Sequence, residues 1–105
     1  MAYNKVILEG HLGKDCEMKF TPDGKAVSKF SLAVSDGKDK KPVWFSITTW
    51  EKLAEICNAS LRTGSHVLIE GKLSQPGCWI DKGDNLPRAS IEVTANTVVF
   101  LDKKE

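Results

Sequence analysis

No stretch of this sequence approaches the roughly 20 consecutive apolar residues that a membrane-spanning helix needs. The residues behind Met1 (Ala2-Tyr3-Asn4-Lys5) lead straight into a strand-like segment, without the apolar core of a signal peptide. A cytosolic location is the expectation. Cysteine is scarce. There are three (Cys16, Cys57 and Cys78), an odd number with no C-x-x-C spacing, which argues against a disulfide scaffold and for reduced thiols. Histidine is scarcer still, and His11 and His66 stand too far apart in sequence, and from any cysteine pair, to suggest a zinc site. Glycine-rich phosphate loops of the G-x-G-x-x-G or Walker type are missing, as is any grouping of nucleophile and base. No metal, no cofactor and no enzymatic activity are expected. Charge of one sign is lacking too. A net charge of +1 rules out a globally basic coat but leaves room for a basic groove offset by acids elsewhere.

What is present reads as one domain. The 105 residues are 41% hydrophobic and 28% charged, which is ordinary for a globular fold and excludes disorder. Residues 1–102 read as a single folded unit, with 103–105 as a frayed end. The hydrophobic period is mostly two, so the elements are strands. A first strand begins at Val6 and runs to about Leu12, and Glu17 to Phe20 continues it after a break. Thr21-Pro22-Asp23-Gly24 is a turn signal. A second strand, Ala26 to Val34, puts Phe30, Leu32 and Val34 on one face. The polar run Ser35 to Pro42 is a loop. In the third strand, Val43 to Trp50, alternation sends Val43, Phe45 and Ile47 one way and Trp44, Ser46, Thr48 and Trp50 the other. A helix follows. Thr48 and Glu51 have capping-box spacing, Leu53, Ile56, Cys57 and Leu61 form its apolar stripe, and Gly64 is the expected stop. A fourth strand runs from His66 to Ser74, with Val67, Ile69 and Leu73 inward and a bend at Gly71. Gln75 to Pro87 reads as a loop carrying Cys78 and Trp79, and a last strand runs from about Arg88 to Leu101. Five strands with one helix between the third and fourth is the order of an OB-fold, an all-β, five-stranded Greek-key barrel.

Several segments, in this order and spacing, carry a resemblance. They are Asn4-Lys5-Val6-Ile7-Leu8-Glu9-Gly10-His11-Leu12-Gly13-Lys14-Asp15, then Leu53-Ala54-Glu55, then Leu61-Arg62-Thr63-Gly64-Ser65 leading into Val67-Leu68-Ile69-Glu70-Gly71-Lys72-Leu73. The chain resembles the bacterial single-stranded DNA-binding proteins from Asn4 to about Leu101. The resemblance implies an OB barrel that assembles, most often as a homotetramer with a dimer as the next choice, and wraps single-stranded DNA in replication, recombination and repair. It implies a cytoplasmic, nucleoid-associated protein. It also assigns aromatic stacking positions to Trp44, Trp50 and Trp79, a further aromatic position to Phe20, and basic positions to Lys19, Lys52 and Arg62. The loop from Ser35 to Pro42 is shorter than the family's usual one and lacks its tryptophan. The family's acidic C-terminal tip is not found before Glu105, so this reads either as a short form or as a chain from which the tail has been removed. Without that tip, contacts with replication and repair proteins would take another route.

The residues themselves bear on these assignments. A tryptophan in a small domain is more often core than contact. Strand parity reverses this for Trp44, because Phe45 and Ile47 already occupy the inner face. Lys72 belongs to the outer face of the fourth strand, and Lys38, Lys40 and Lys41 form a basic cluster in the loop before the third. Cys57 reads as core. Cys78 reads as exposed, with nothing to support a redox role. Two rival readings are a primosomal-type OB adaptor that mainly contacts replication proteins, and an OB module for RNA or oligosaccharide. The three tryptophans favour a DNA coat over the adaptor.

Overall fold

The computed structural model describes residues 3–35, 37 and 41–102, so Lys38, Lys40 and the expected frayed end at 103–105 lie outside the described residues. Among the described residues, seven strands and one helix follow in the order β1 (Val6–Leu12), β2 (Glu17–Phe20), β3 (Ala26–Val34), β4 (Val43–Trp50), α1 (Glu51–Ser60), β5 (His66–Leu73), β6 (Gly77–Ile80) and β7 (Pro87–Phe100). The sheet runs β1-β5-β7-β4-β3-β2, and β1 returns to pair with β3 through His11↔Ala33 and Leu12↔Leu32. That return closes a five-stranded barrel with the Greek-key order of an OB-fold, in which β2 extends the β3 edge. All pairings are antiparallel except β4 with β7. A parallel pair needs a crossover, and α1 with β5 and β6 supplies it.

Alternation fills the barrel. Leu12, Phe30, Leu32, Ile47, Val67, Ile69 and Val93 form the core, and α1 plugs one end with Ala54 and Cys57, followed by Leu61. Burial pushes the Cys57 thiol up to about 11, and it pushes the half-buried Cys16 thiol up as well. Both remain neutral parts of the packing. Cys78 is exposed. The Thr21 turn forms as expected, with the Gly24 N–H donating to the Thr21 carbonyl at 2.8 Å.

Four details differ from the sequence reading. No side chain caps α1: its N-cap is Trp50, and Thr48 is still in the strand. The helix ends at Ser60, well before Gly64, because Leu61 turns extended and sinks into the core. Ile56 points away from the barrel and Leu73 lies at its rim, and both are exposed. The segment after β5 is not an open loop. Gly77–Ile80 pairs with Pro87–Ser90 as a hairpin, so Trp79 sits on a strand.

The bend at Gly71 is real and has a cause. Gly71 pairs with Ala95 while Glu70 pairs with Thr97, leaving Asn96 as the extra residue of a β-bulge. A Cβ at Gly71 would stand 2.1 Å from the Thr94 carbonyl oxygen and 2.8 Å from the Ala95 Cα. Backbone cannot retreat that far without breaking the ladder. Gly71→Ala is therefore expected to destabilise the fold by about 1–3 kcal/mol, the usual cost of overpacking. A urea unfolding midpoint unchanged from wild type would contradict this packing.

Candidate nucleic-acid interface

The outer face of the barrel follows from the same alternation. Register sets Val27 beside Trp50, Lys29 beside Thr48, Ser31 beside Ser46 and Ala33 beside Trp44. The parallel ladder continues the rows into β7, with Ser46 beside Glu92 and Thr48 beside Thr94. Lys72 of β5 then lies beside Thr94, and Glu17 of β2 beside Lys29. One row across the sheet therefore reads Glu17, Lys29, Thr48, Thr94, Lys72. The face is polar, with a hydroxyl at its centre and a lysine on either side.

Two indoles stand on this face, six residues apart on β4, or about 20 Å at roughly 3.3 Å per residue. Trp44 is 52% exposed and Trp50 is 43% exposed. Trp44 rests where β1 leaves its strand. A Cβ on Gly13 would come within 2.4 Å of Trp44 Cζ3, so only a glycine lets the six-membered ring settle there, beside Lys14 and Ser31. Trp50 forms one wall of a shallow cleft of about 550 Å³, shared with Lys29, Gln75, Glu92 and Thr94. A base stacked on the indole would find a cation and several hydrogen-bonding groups within reach.

Trp79 joins the same face through the hairpin. Ser90 is outward in register with Glu92 and Thr94, and Gly77 pairs with Ser90 as Trp79 pairs with Arg88. The Trp79 ring lies beside Gly77, 3.9 Å from where a Cβ would be, and is 51% exposed. Arg88 is anchored by Asp81 at 3.6 Å and by a close contact to Asp84. These pairs brace the hairpin turn next to the indole.

The remaining residues distribute unevenly. Lys19 pairs with Val27 and so belongs to the tryptophan face. Phe20, 64% exposed, takes the opposite parity and turns round the sheet edge, where it lines a cleft with Lys25, Lys52 and Glu55. Lys41 is exposed just before β4. Arg62 stands apart. Its Nη1 donates to the Asn58 carbonyl at 3.2 Å and the Leu61 carbonyl at 2.8 Å, closing the end of α1. Near it, Asp15 accepts from the Thr63 N–H at 2.6 Å and from the Thr63 hydroxyl at 2.9 Å, bonds that hold its carboxyl below the usual range. This cluster ties the β1–β2 connection to the α1–β5 turn.

The sequence reading passed over Lys29, although its signal was available. With Phe30, Leu32 and Val34 inside, the odd positions of β3 must face out, and Lys29 lands between the two indoles of β4. Arg88 and Lys14 were also missed, because their neighbours depend on a hairpin and on a ring resting against Gly13. No group of side chains among the described residues could hold a metal ion. The described residues include no helix long and apolar enough to cross a membrane.

Comparison with known proteins accounts for the same span. The single-strand binding protein family matches residues 3–101. Relatives include "Single-stranded DNA-binding protein 1" of Chlorobaculum tepidum, 38% identical over 109 residues covering 97% of this chain and 67% of the relative. The "Single-stranded DNA-binding protein" of Neisseria meningitidis is 36% identical, covering 96% of this chain and 61% of its own length. "Single-stranded DNA-binding protein 1" of Synechocystis sp. is 34% identical, covering 99% and 88%. The chain thus spans about three fifths of the Neisseria protein and most of the Synechocystis one.

Two substitutions test the geometry. Gly13→Ala should leave the barrel folded but push the Trp44 ring off its seat, lowering affinity for oligo-dT by up to the worth of one stacking platform, about 1–3 kcal/mol. Near-UV circular dichroism would report the displaced indole, and an unchanged spectrum with unchanged affinity would refute the contact. Lys29→Ala should weaken oligo-dT and mixed-sequence strands alike. It should also reduce the magnitude of the log–log salt slope by about 0.7, the value for one phosphate contact on a single strand.

Proposed function

Because the chain belongs to the single-strand binding protein family, we propose that it coats single-stranded DNA without reading its sequence and catalyses nothing. The observation that carries this is the set of three half-exposed indoles, Trp44, Trp50 and Trp79, on one polar sheet face. Every base has a π-face, so stacking tolerates any sequence and contributes about 1–3 kcal/mol per base. Lys19, Lys29 and Lys72 lie on that face to meet phosphates, and Phe20 with Lys52 extends the path round the β2–α1 edge. Lys38, Lys40 and Lys41, which precede β4 in sequence, are proposed as further phosphate contacts. Arg62 has the weakest claim, since its guanidinium already serves the end of α1.

The protein acts as a homo-oligomer, with a tetramer favoured over a dimer. Support comes from β1, which pairs with β5 along Val6–His11 but with β3 only through His11 and Leu12. Among the described residues, most of one β1 edge has no strand partner, which would let it pair with a second copy, as exposed edges tend to do. Protection of unpaired strands in replication, recombination and repair follows from such a coat, as does a cytoplasmic, nucleoid-associated location, which suits three free thiols.

The decisive measurement is intrinsic tryptophan fluorescence during titration with oligo-dT at low and high salt. Strong quenching that saturates at a fixed number of nucleotides per subunit, with affinity falling as salt rises, is expected. An oligo-U competitor of equal length separates DNA from RNA preference. No quenching and no binding at low salt would sink the coating function.

A further inference from the structure

Among the described residues, two with side chains have a positive φ: Asn85 at 57° and Glu51 at 58°. Asn85 lies in the hairpin turn, and asparagine adopts that region readily. Glu51 has no such excuse. It is the first residue of α1, where a right-handed helix has φ near −63°. Trp50 before it is still extended, at φ −124° and ψ 147°, and no side chain caps the helix. Strand β4 and helix α1 therefore meet with no linking residue, and the change of direction falls on the Glu51 backbone.

We propose that Glu51 is a positioning residue for Trp50. Its left-handed backbone lets Trp50 finish the alternation of β4, with the indole outward in the cleft beside Lys29 and Thr94. The next residue can then begin the helix that plugs the barrel. A right-handed φ at 51 would flip the peptide after Trp50, so that the helix and the indole could not both keep their places. Strained backbone of this kind persists only where the surroundings enforce it, and it gathers at ligand-contacting sites. The role is one of backbone conformation, not of the carboxylate. The inference rests on Trp50 being a stacking residue.

The test uses full-length protein carrying Trp44→Phe and Trp79→Phe, which keep an aromatic ring at each site and leave Trp50 as the sole indole. Glu51→Gly, Glu51→Gln, Glu51→Val and Trp50→Ala are compared, with affinity read from the anisotropy of fluorescein-labelled oligo-dT. Glycine adopts positive φ freely, so Glu51→Gly should keep the quenching and melt at a higher temperature. A β-branched residue strongly resists that region, so Glu51→Val should lose quenching and weaken binding at least about fivefold, the low end of a stacking contribution. Added to Trp50→Ala, it should weaken binding no further, since both changes remove one platform. If Glu51→Val fails to fold by far-UV circular dichroism, Glu51→Ala replaces it and should fall between the glycine and Trp50→Ala proteins. Full quenching in a folded Glu51→Val protein overturns the inference, as does Glu51→Gln reproducing the valine effect. Quenching of wild type without quenching of the Trp50-only protein also overturns it, leaving the coating function intact. No quenching in wild type overturns both.

Discussion

The path of β1 closes the barrel, and that closure decides which side chains every other strand shows to solvent. β1 follows β5 for most of its length and then, at His11 and Leu12, swings across to pair with β3. Once the sheet is closed, its interior admits only one parity of side chains from each strand. Leu32, Ile47, Val67, Ile69 and Val93 occupy that interior with no measurable exposure. Every residue of the other parity is forced outward, whatever its chemistry. Trp44 and Trp50 are on the surface because Phe45 and Ile47 hold the inside. Without closure, nothing would prevent an indole from being the residue that is buried.

Closure also fixes how the face is furnished. The parallel β4–β7 ladder brings Glu92 and Thr94 alongside Ser46 and Thr48, and the bulge at Asn96 lets β7 bend round to meet β5. The tryptophan face thus combines residues from β2, β3, β4, β5 and β7, while the hairpin of β6 and β7 carries Trp79 beyond the barrel rim. The face mixes charges. Glu17 and Glu92 lie among the lysines, which agrees with a chain of net charge +1. Affinity of this face for a polyanion would depend on local placement more than on overall charge.

Much of this was legible from the sequence, because period-two alternation is a direct projection of a closed barrel. The bounds of β3 and β4, the inward set Phe30, Leu32 and Ile47, and the outward Trp44 could all be read from it. The misses have physical reasons. The Thr48–Glu51 spacing imitates a capping box, but the helix begins directly from an extended Trp50, and spacing cannot report a backbone that turns left-handed at Glu51. Leu61 looks like the last residue of a helical stripe yet reaches the core from an extended segment. Gly77–Ile80 is short and rich in loop-forming neighbours, so its pairing with Pro87–Ser90 emerges only when the two segments are seen side by side. Beyond the bulge, Val98 lies inward although straight alternation from Val93 and Ala95 would choose Thr97.

The seat of Trp44 against Gly13 and Ser31 has a mechanical consequence. The outer edge of that indole, Cζ3–Cη2, already lies against Gly13, so that edge cannot lead the ring between two bases. Such a ring can hold a base that has already left its stack, but it cannot slide between two stacked bases as a wedge. If this face takes up single strands as proposed, strand separation there would be a ratchet driven by thermal fraying: each base pair would open on its own, and the protein would make the opening slow to reverse.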